Sequence, residues 1–146
     1  MLLLIALTLT ACKGGNTPKG KGVELREDEK LYDLGKYEEA IEELDKLLES
    51  DSENIEYLNK KTDILIELER YKEALEIADL TLGLDPMDDE AVLNKDTCLK
   101  HMGQYEKGQE LLNKTILKCD EEIEKNKGDA DTYYLKTAVL FRQGKY

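Results

Sequence analysis

Leu34-Gly35-Lys36-Tyr37-Glu38-Glu39-Ala40 is answered 34 residues later by Leu68-Glu69-Arg70-Tyr71-Lys72-Glu73-Ala74, and after another 34 by Met102-Gly103-Gln104-Tyr105-Glu106-Lys107-Gly108. Arg142-Gln143-Gly144-Lys145-Tyr146 opens a fourth copy. Around each tyrosine the apolar residues recur at i, i+3, i+4 and i+7: Leu58, Leu65 and Leu68 ahead of Tyr71, Ile41, Leu44 and Leu48 after Tyr37, then Leu75, Ala78 and Leu82. That spacing is one face of an α-helix, so each period predicts two amphipathic helices. The segments holding Gly35 and Gly103 are connections too short for anything but an antiparallel return, and Asp85-Pro86 predicts a helix end. A single hairpin of this kind cannot cover its own apolar face, whereas several stacked hairpins bury a continuous core. The fold class that follows is all-α, an α-solenoid of antiparallel helix pairs.

The third interval is longer. Tyr105 to Tyr146 is 41 residues, seven more than the period. Seven residues are about two helical turns, so the insertion keeps the apolar face in phase. Leu112, Ile116, Cys119 and Ile123 form one stripe into the extra stretch, which predicts a long helix from about Tyr105 to Asn126, stopped near Gly128.

Composition agrees with helices. Of the 146 residues 37% are charged, none is Trp, and Gly and Pro number ten and two. The scarcity of β-branched and aromatic residues argues against a sandwich or barrel, and 40% hydrophobic content is enough for a packed core. Acids outnumber bases 33 to 21, a net charge of −12 that repels phosphate backbones and excludes nucleic acid as a natural partner.

Gly35-x-Tyr37-x-x-Ala40 and its register-matched copies resemble the signature of the tetratricopeptide repeat (TPR) family over residues 21–146. Pro86 takes the family's closing proline, where Ser52 and Asp120 stand in the neighbouring units, and the large apolar site of each first helix is filled by Leu58, Val92 and Tyr133. The departures are specific. Glu69 replaces the turn glycine, Gly108 the alanine, and Thr62, Asp96 and Thr137 the small residue where paired helices touch, each preceded by a lysine (Lys61, Lys95, Lys136). Asp96 is costly to bury there, and the lysines are expected to pair with acids on the next helix. The resulting division is residues 21–54, 55–88, 89–129 with the insertion, and an incomplete 130–146.

Residues 1–11 carry no charge and are too short to span a bilayer, which takes ~20 apolar residues. They match the apolar core of an export signal, and Leu9-Thr10-Ala11-Cys12 resembles the bacterial lipobox. That resemblance implies removal of residues 1–11, lipidation of Cys12, and a membrane anchor of two or three acyl chains. No Lys or Arg precedes the apolar run, so either the natural start lies upstream or the leader is atypical. Residues 12–22, rich in Gly and Lys, read as the anchor and a flexible tether before a repeat domain over 23–146. Lys13 beside the anchor resembles an outer-membrane address; the outer face of the cytoplasmic membrane is the other location.

Catalytic chemistry is not indicated. His101 is the sole histidine, which leaves no multi-histidine metal site and no catalytic triad with a spare ligand. It is expected at a helix end, where an imidazole favours the negative terminus. The many paired carboxylates read as solvated helix faces with nothing apolar around them to raise a pKa. Cys98 and Cys119 fall roughly 16 Å apart along a hairpin axis, too far for a disulfide, which predicts two separate packed thiols. No catalytic residue, metal ligand or cofactor is assigned.

In TPR proteins the first helix of each pair lines a concave peptide groove. Carried over by position, the groove-lining residues here are Tyr32, Asn59, Asp63, Ile66, Leu93, Thr97, Tyr134 and Phe141, with Leu25, Glu29, Asp33, Glu56, Glu67, Glu90, Lys100, His101, Asp131, Ala138 and Arg142 around them. Asn59, Asp63 and Asp131 stand where carboxylate-gripping members carry Lys, Asn and Lys. The groove is therefore acidic with apolar steps and suits extended segments carrying Lys or Arg beside apolar residues. The function expected is a membrane-anchored interaction scaffold or assembly factor of the bacterial envelope. Two alternatives stand beside it: the N-terminal part of a longer exported enzyme or glycan-binding lipoprotein, and a cytosolic TPR regulator. At the C-terminus, Leu135, Val139 and Leu140 are expected to form an exposed apolar strip, either because the natural chain continues or because a second copy covers them by self-association.

Overall fold

The computed structural model describes residues 26–144. The expectations placed on the leader, Cys12, the tether and Leu25 lie outside the described residues. Within them run α1 (Glu27–Asp33), α2 (Tyr37–Ser50), α3 (Ile55–Glu67), α4 (Tyr71–Leu84), α5 (Asp89–His101), α6 (Tyr105–Lys125) and α7 (Ala130–Arg142), and no strand is present among the described residues. Each helix packs on its chain neighbours; α3 also packs on α5, and α5 on α7, whereas no comparable packing joins α2, α4 and α6. The odd helices therefore form the inner side of the stack and the even ones the outer side. The fold is a TPR-like α-solenoid.

The connections explain the helix ends. After α1, the N–H of Gly35 donates to the Tyr32 carbonyl at 2.9 Å and that of Lys36 to Leu31 at 2.9 Å; the same pair of bonds recurs after α3 (Glu69 to Ile66, Arg70 to Leu65) and α5 (Gly103 to Lys100, Gln104 to Leu99). This closure needs one left-handed residue. Gly35 and Gly103 supply it at φ 71° and 73°, and Glu69 adopts φ 57° at a steric cost glycine avoids. Between hairpins the chain turns over four residues, with Asn54 bonded to the Asp51 carbonyl, Asp88 to Asp85 and Asp129 to Asn126. Asn54 and Asp88 cap the helices that follow, accepting from the N–H of Tyr57 at 3.1 Å and of Ala91 at 2.8 Å.

Burial follows the period. Ala40, Leu44, Ile64, Leu65, Ala74 and Cys98 belong to one core cluster, and Val92, Leu112, Cys119, Leu135 and Val139 to a second. Cys98 and Cys119 are free, buried thiols, the first pushed up to about 11 by desolvation. Ion pairs bind each outer helix to the inner helix that follows it: Asp45 to Lys61, Asp79 to Lys95 at 2.5 Å, and Asp120 to Lys136, each pair sixteen residues apart. The lysines thus reach the preceding helix, contrary to the expectation of the next one, because their side chains stand on the face turned back toward it. Asp120 consequently lies inside α6 and does not hold the proline position; the connection to α7 is made by Asn126–Asp129, and Gly128 is not left-handed.

The inserted turns displace α7. Contacts between successive inner helices join residues 29–31 apart: Arg26 to Glu56, Glu29 to Lys60, Asn59 to Asp88, Asp63 to Asn94. Between α5 and α7 the separation is 45, from Thr97 to Arg142. Seven of the extra residues are the insertion itself; the rest is a slide of α7 along α5 by about two turns, roughly 10 Å. Its far end therefore stops beside Gln109 and Asn113, which Gln143 reaches, and Tyr105 on the first turn of α6 is left 63% exposed.

Leu135 and Val139 are buried because they face back onto α5 and α6, and Leu140 is half-buried, so the strip is not exposed as the sequence suggested. The uncovered side of α7 carries Tyr133 (44% exposed) and Thr137, which hold the positions that Leu58 and Val92, and Thr62 and Asp96, bury in the preceding units.

Asp96 is fully buried and finds its room in Gly108. A Cβ on Gly108 would stand 2.7 Å from Asp96 Oδ1. The two departures from the repeat signature are thus one feature, a carboxylate on α5 filling the space vacated by a side chain on α6. Oδ2 accepts from Lys100 at 2.6 Å and lies 3.7 Å from Arg142 Nε, while Oδ1 has no hydrogen-bond donor.

Candidate functional site

The inner face is assembled from α1, α3, α5 and α7, and its seams differ from end to end. At the first, the N-cap residue Arg26 is laid over the Tyr57 ring at 4.5 Å and bonded to Glu56 at 3.0 Å, while Lys60 reaches Glu29 at 2.7 Å. These bonds fix α1 on α3 and leave between them a pocket of about 330 Å³ lined by Asp28, Glu29, Tyr32, Asp33, Lys60, Asp63 and Ile64. Asp28 is paired with Arg26 at 2.9 Å and Glu29 with Lys60. Asp33, Asp63 and Glu67 have no ion-pair partner among the described residues. Partial burial, then the surrounding Glu67, Tyr37, Asp63 and Asp33, raise the Tyr32 phenol above its ordinary range.

In the second seam Asn59, 3% exposed, donates to Asp88 at 2.8 Å, and Asp63 accepts from Asn94 at 2.7 Å. Asn59 Oδ1 is buried with no donor. Glu90 is an exposed residue, yet partial desolvation of its carboxyl, followed by its hydrogen bond to Asp63 and the charges of Asp63, Asp88 and Asp89, pushes it up to about 7. The expectation that no carboxylate here is perturbed fails at this residue, because α3 packs against α5 closely enough to press two acids together.

The third seam is apolar. Leu93, Ala138, Phe141 and Arg142 line a recess of about 420 Å³. Thr97 is engaged on both sides, its hydroxyl donating to the Leu93 carbonyl at 2.9 Å and accepting from Arg142 at 3.3 Å. Tyr134 and Phe141 are 63% and 73% exposed, and Ile66 is half-buried against the first core cluster. His101 is exposed with its ring stacked on Tyr71 at 4.4 Å, an outer-helix contact in addition to its place at a helix end.

The inner helices thus bring the groove positions together only in part: Tyr32 and Asp63 share the first pocket and Leu93 and Phe141 the third recess, with Thr97 tied to Arg142, whereas Asn59 is buried against Asp88, Ile66 packs on the first core cluster and Tyr134 lines neither pocket. Lys60 and Asn94 were not singled out from sequence, although they stand one period apart and each reaches a carboxylate 31 residues earlier. That recurrent spacing, the period less three, is the signal that would have found them. Among the described residues no group of His, Cys, Asp and Glu is arranged to hold a metal ion, and no helix is long and apolar enough to cross a membrane. What the surface offers is shape, carboxylates free of internal cations, and apolar recesses.

No protein-family sequence model matches the chain, and no curated protein matches it in sequence. Solved structures do match in shape. The Sgt2 TPR domain from Aspergillus fumigatus is 20% identical over 82% of this chain and 76% of its own, with a TM-score of 0.58. A double mutant of MamA RS-1 is 20% identical over 80% of this chain, with a TM-score of 0.55, and this chain spans 62% of its length. The second TPR domain of human RPAP3, solved in complex with the HSP70 peptide SGPTIEEVD, is 18% identical over 77% of this chain and 88% of its own, with a TM-score of 0.50.

Proposed function

We propose that this chain is a non-enzymatic interaction scaffold, held at a bacterial envelope membrane through acylated Cys12, whose inner helices grip an extended segment of a partner protein. The observation that carries the binding half of this reading is the inner face itself: its rim acids Asp33, Asp63 and Glu67 lack internal cations, and its recesses are lined by Tyr32, Leu93 and Phe141. Similarity in fold to TPR domains, one of them solved with a peptide, supports the same reading. The acidic surface suits partners with Lys or Arg and makes nucleic acid a poor one.

The anchoring half rests on the sequence of residues 1–12. In a bacterial host, metabolic labelling with an acyl probe will mark the wild-type protein and leave Cys12→Ser unlabelled and released from the membrane fraction. A Cys12→Ser protein that stays equally membrane-bound removes the anchor from the account without touching the groove.

A further inference from the structure

The inner face is graded, acidic and aromatic at one end and apolar at the other, and the insertion in α6 is what builds the apolar end. Because α7 has slid by about two turns, Ala138 and Phe141 stand beside Leu93, and Arg142 closes the recess. At the opposite end Tyr32 and Ile64 wall a pocket whose rim carries Asp33 and Asp63, both without an internal cation, while its remaining acids are already neutralised by Arg26 and Lys60.

We infer that the groove reads two features of one extended segment: a lysine or arginine whose stem lies on Tyr32 and whose charge sits between Asp33 and Asp63, and a large apolar side chain seated in the Leu93–Ala138–Phe141 recess. This rests on the inner face being a peptide groove. The charge of the first pocket selects the cation, since a carboxylate or phosphate there would face Asp33, Asp63 and Glu67 together. Aromatic contact adds to it, as a cation over a tyrosine face gains beyond its ion pair. The two pockets lie two helix-to-helix steps apart, about 16–20 Å at 8–10 Å per step. An extended chain covers that in about five to six residues, which fixes the spacing between the two anchors.

The test is selection of a displayed library of random dodecapeptides on the tethered domain, with Asp33→Asn/Asp63→Asn and Ala138→Glu variants run in parallel and their helicity checked by circular dichroism. The expected result is enrichment of a basic residue about five to six positions from Phe, Leu, Ile or Met. The double variant should lose the basic preference and about tenfold in affinity for an enriched peptide while keeping the apolar one; Ala138→Glu should do the reverse. Enrichment of peptides with no basic residue, with no fixed spacing, or with preferences unmoved by folded variants overturns the two-anchor inference and leaves the groove standing. Failure of any peptide to enrich, or enrichment that survives both variants with cross-links only to α2, α4 or α6, overturns the groove reading too.

Discussion

Gly108 lacks a side chain because Asp96 stands where one would be. The carboxylate cannot swing aside cheaply, since it is fully buried and Lys100 holds its other oxygen at 2.6 Å. Gly108→Ala is therefore expected to cost about 1–3 kcal/mol through overpacking, even though alanine is the better helix former by about 1 kcal/mol. Combining it with Asp96→Ala removes the clash and the buried charge together, so the double variant should be at least as stable as the parent. Urea unfolding of the four proteins in this cycle measures the coupling directly, and additive effects would mean that the two residues are independent. Glu90 makes a second residue-level case. With its folded pKa raised from 4.5 to about 7, the folded state holds a proton that the unfolded chain has lost, so this carboxyl's contribution falls as pH rises from about 4.5 to 7 and stays low above it. Glu29, Glu73 and Glu110, held low by Lys60, Arg70 and Lys114, lose their contributions at lower pH and do not mask that window. Urea midpoints between pH 5 and 8 should decline more steeply in the parent than in Glu90→Gln; parallel declines would place the effect elsewhere.

At the scale of the element, α6 shows what two extra turns do to a stack. They leave its own apolar face in phase, and the Asp120–Lys136 pair keeps the sixteen-residue spacing of the other two. The cost appears at the neighbour, since α7 stops beside Gln109 and no longer covers the first turn of α6. Deleting residues 109–115 would place Gly108 four residues before Cys119, the spacing of Ala74 and Ala78, and bring α7 back level. Amides 106–108 and those following should then exchange with solvent as slowly as their counterparts from Lys72 onward, whereas in the parent they exchange faster. Equal exchange in both proteins would show that the slide is absent in solution. The length of α6 was legible from Leu112, Ile116, Cys119 and Ile123, and it ends at Lys125 against an expected Asn126. The displacement was not legible, because a periodic pattern reports which face a helix buries and says nothing of how far it slides along its partner.

For the whole molecule, the repeat made the fold readable and left the surface chemistry only half readable. Period and phase fixed which residues face inward, so Tyr32, Asp63, Leu93 and Phe141 are all on the inner side. They did not fix which inner residues neutralise one another. Asn59 proves to be buried against Asp88, Thr97 is tied to Arg142, and Glu90 is pressed on Asp63, all through contacts between helices about thirty or more residues apart. The same limit misplaced the exposed strip of α7, since Leu135 and Val139 belong to the face turned back on the stack. Partners are proposed to be held on the inner side. This is tested by a photo-reactive benzoylphenylalanine placed at Leu93, on the inner face, or at Leu80, half-exposed on the outer helix α4, in the full chain expressed in a bacterial host. Irradiation should give a discrete adduct from position 93 and none from position 80. An adduct from position 80 with none from 93 would put the binding surface on the other side of the stack and contradict the account.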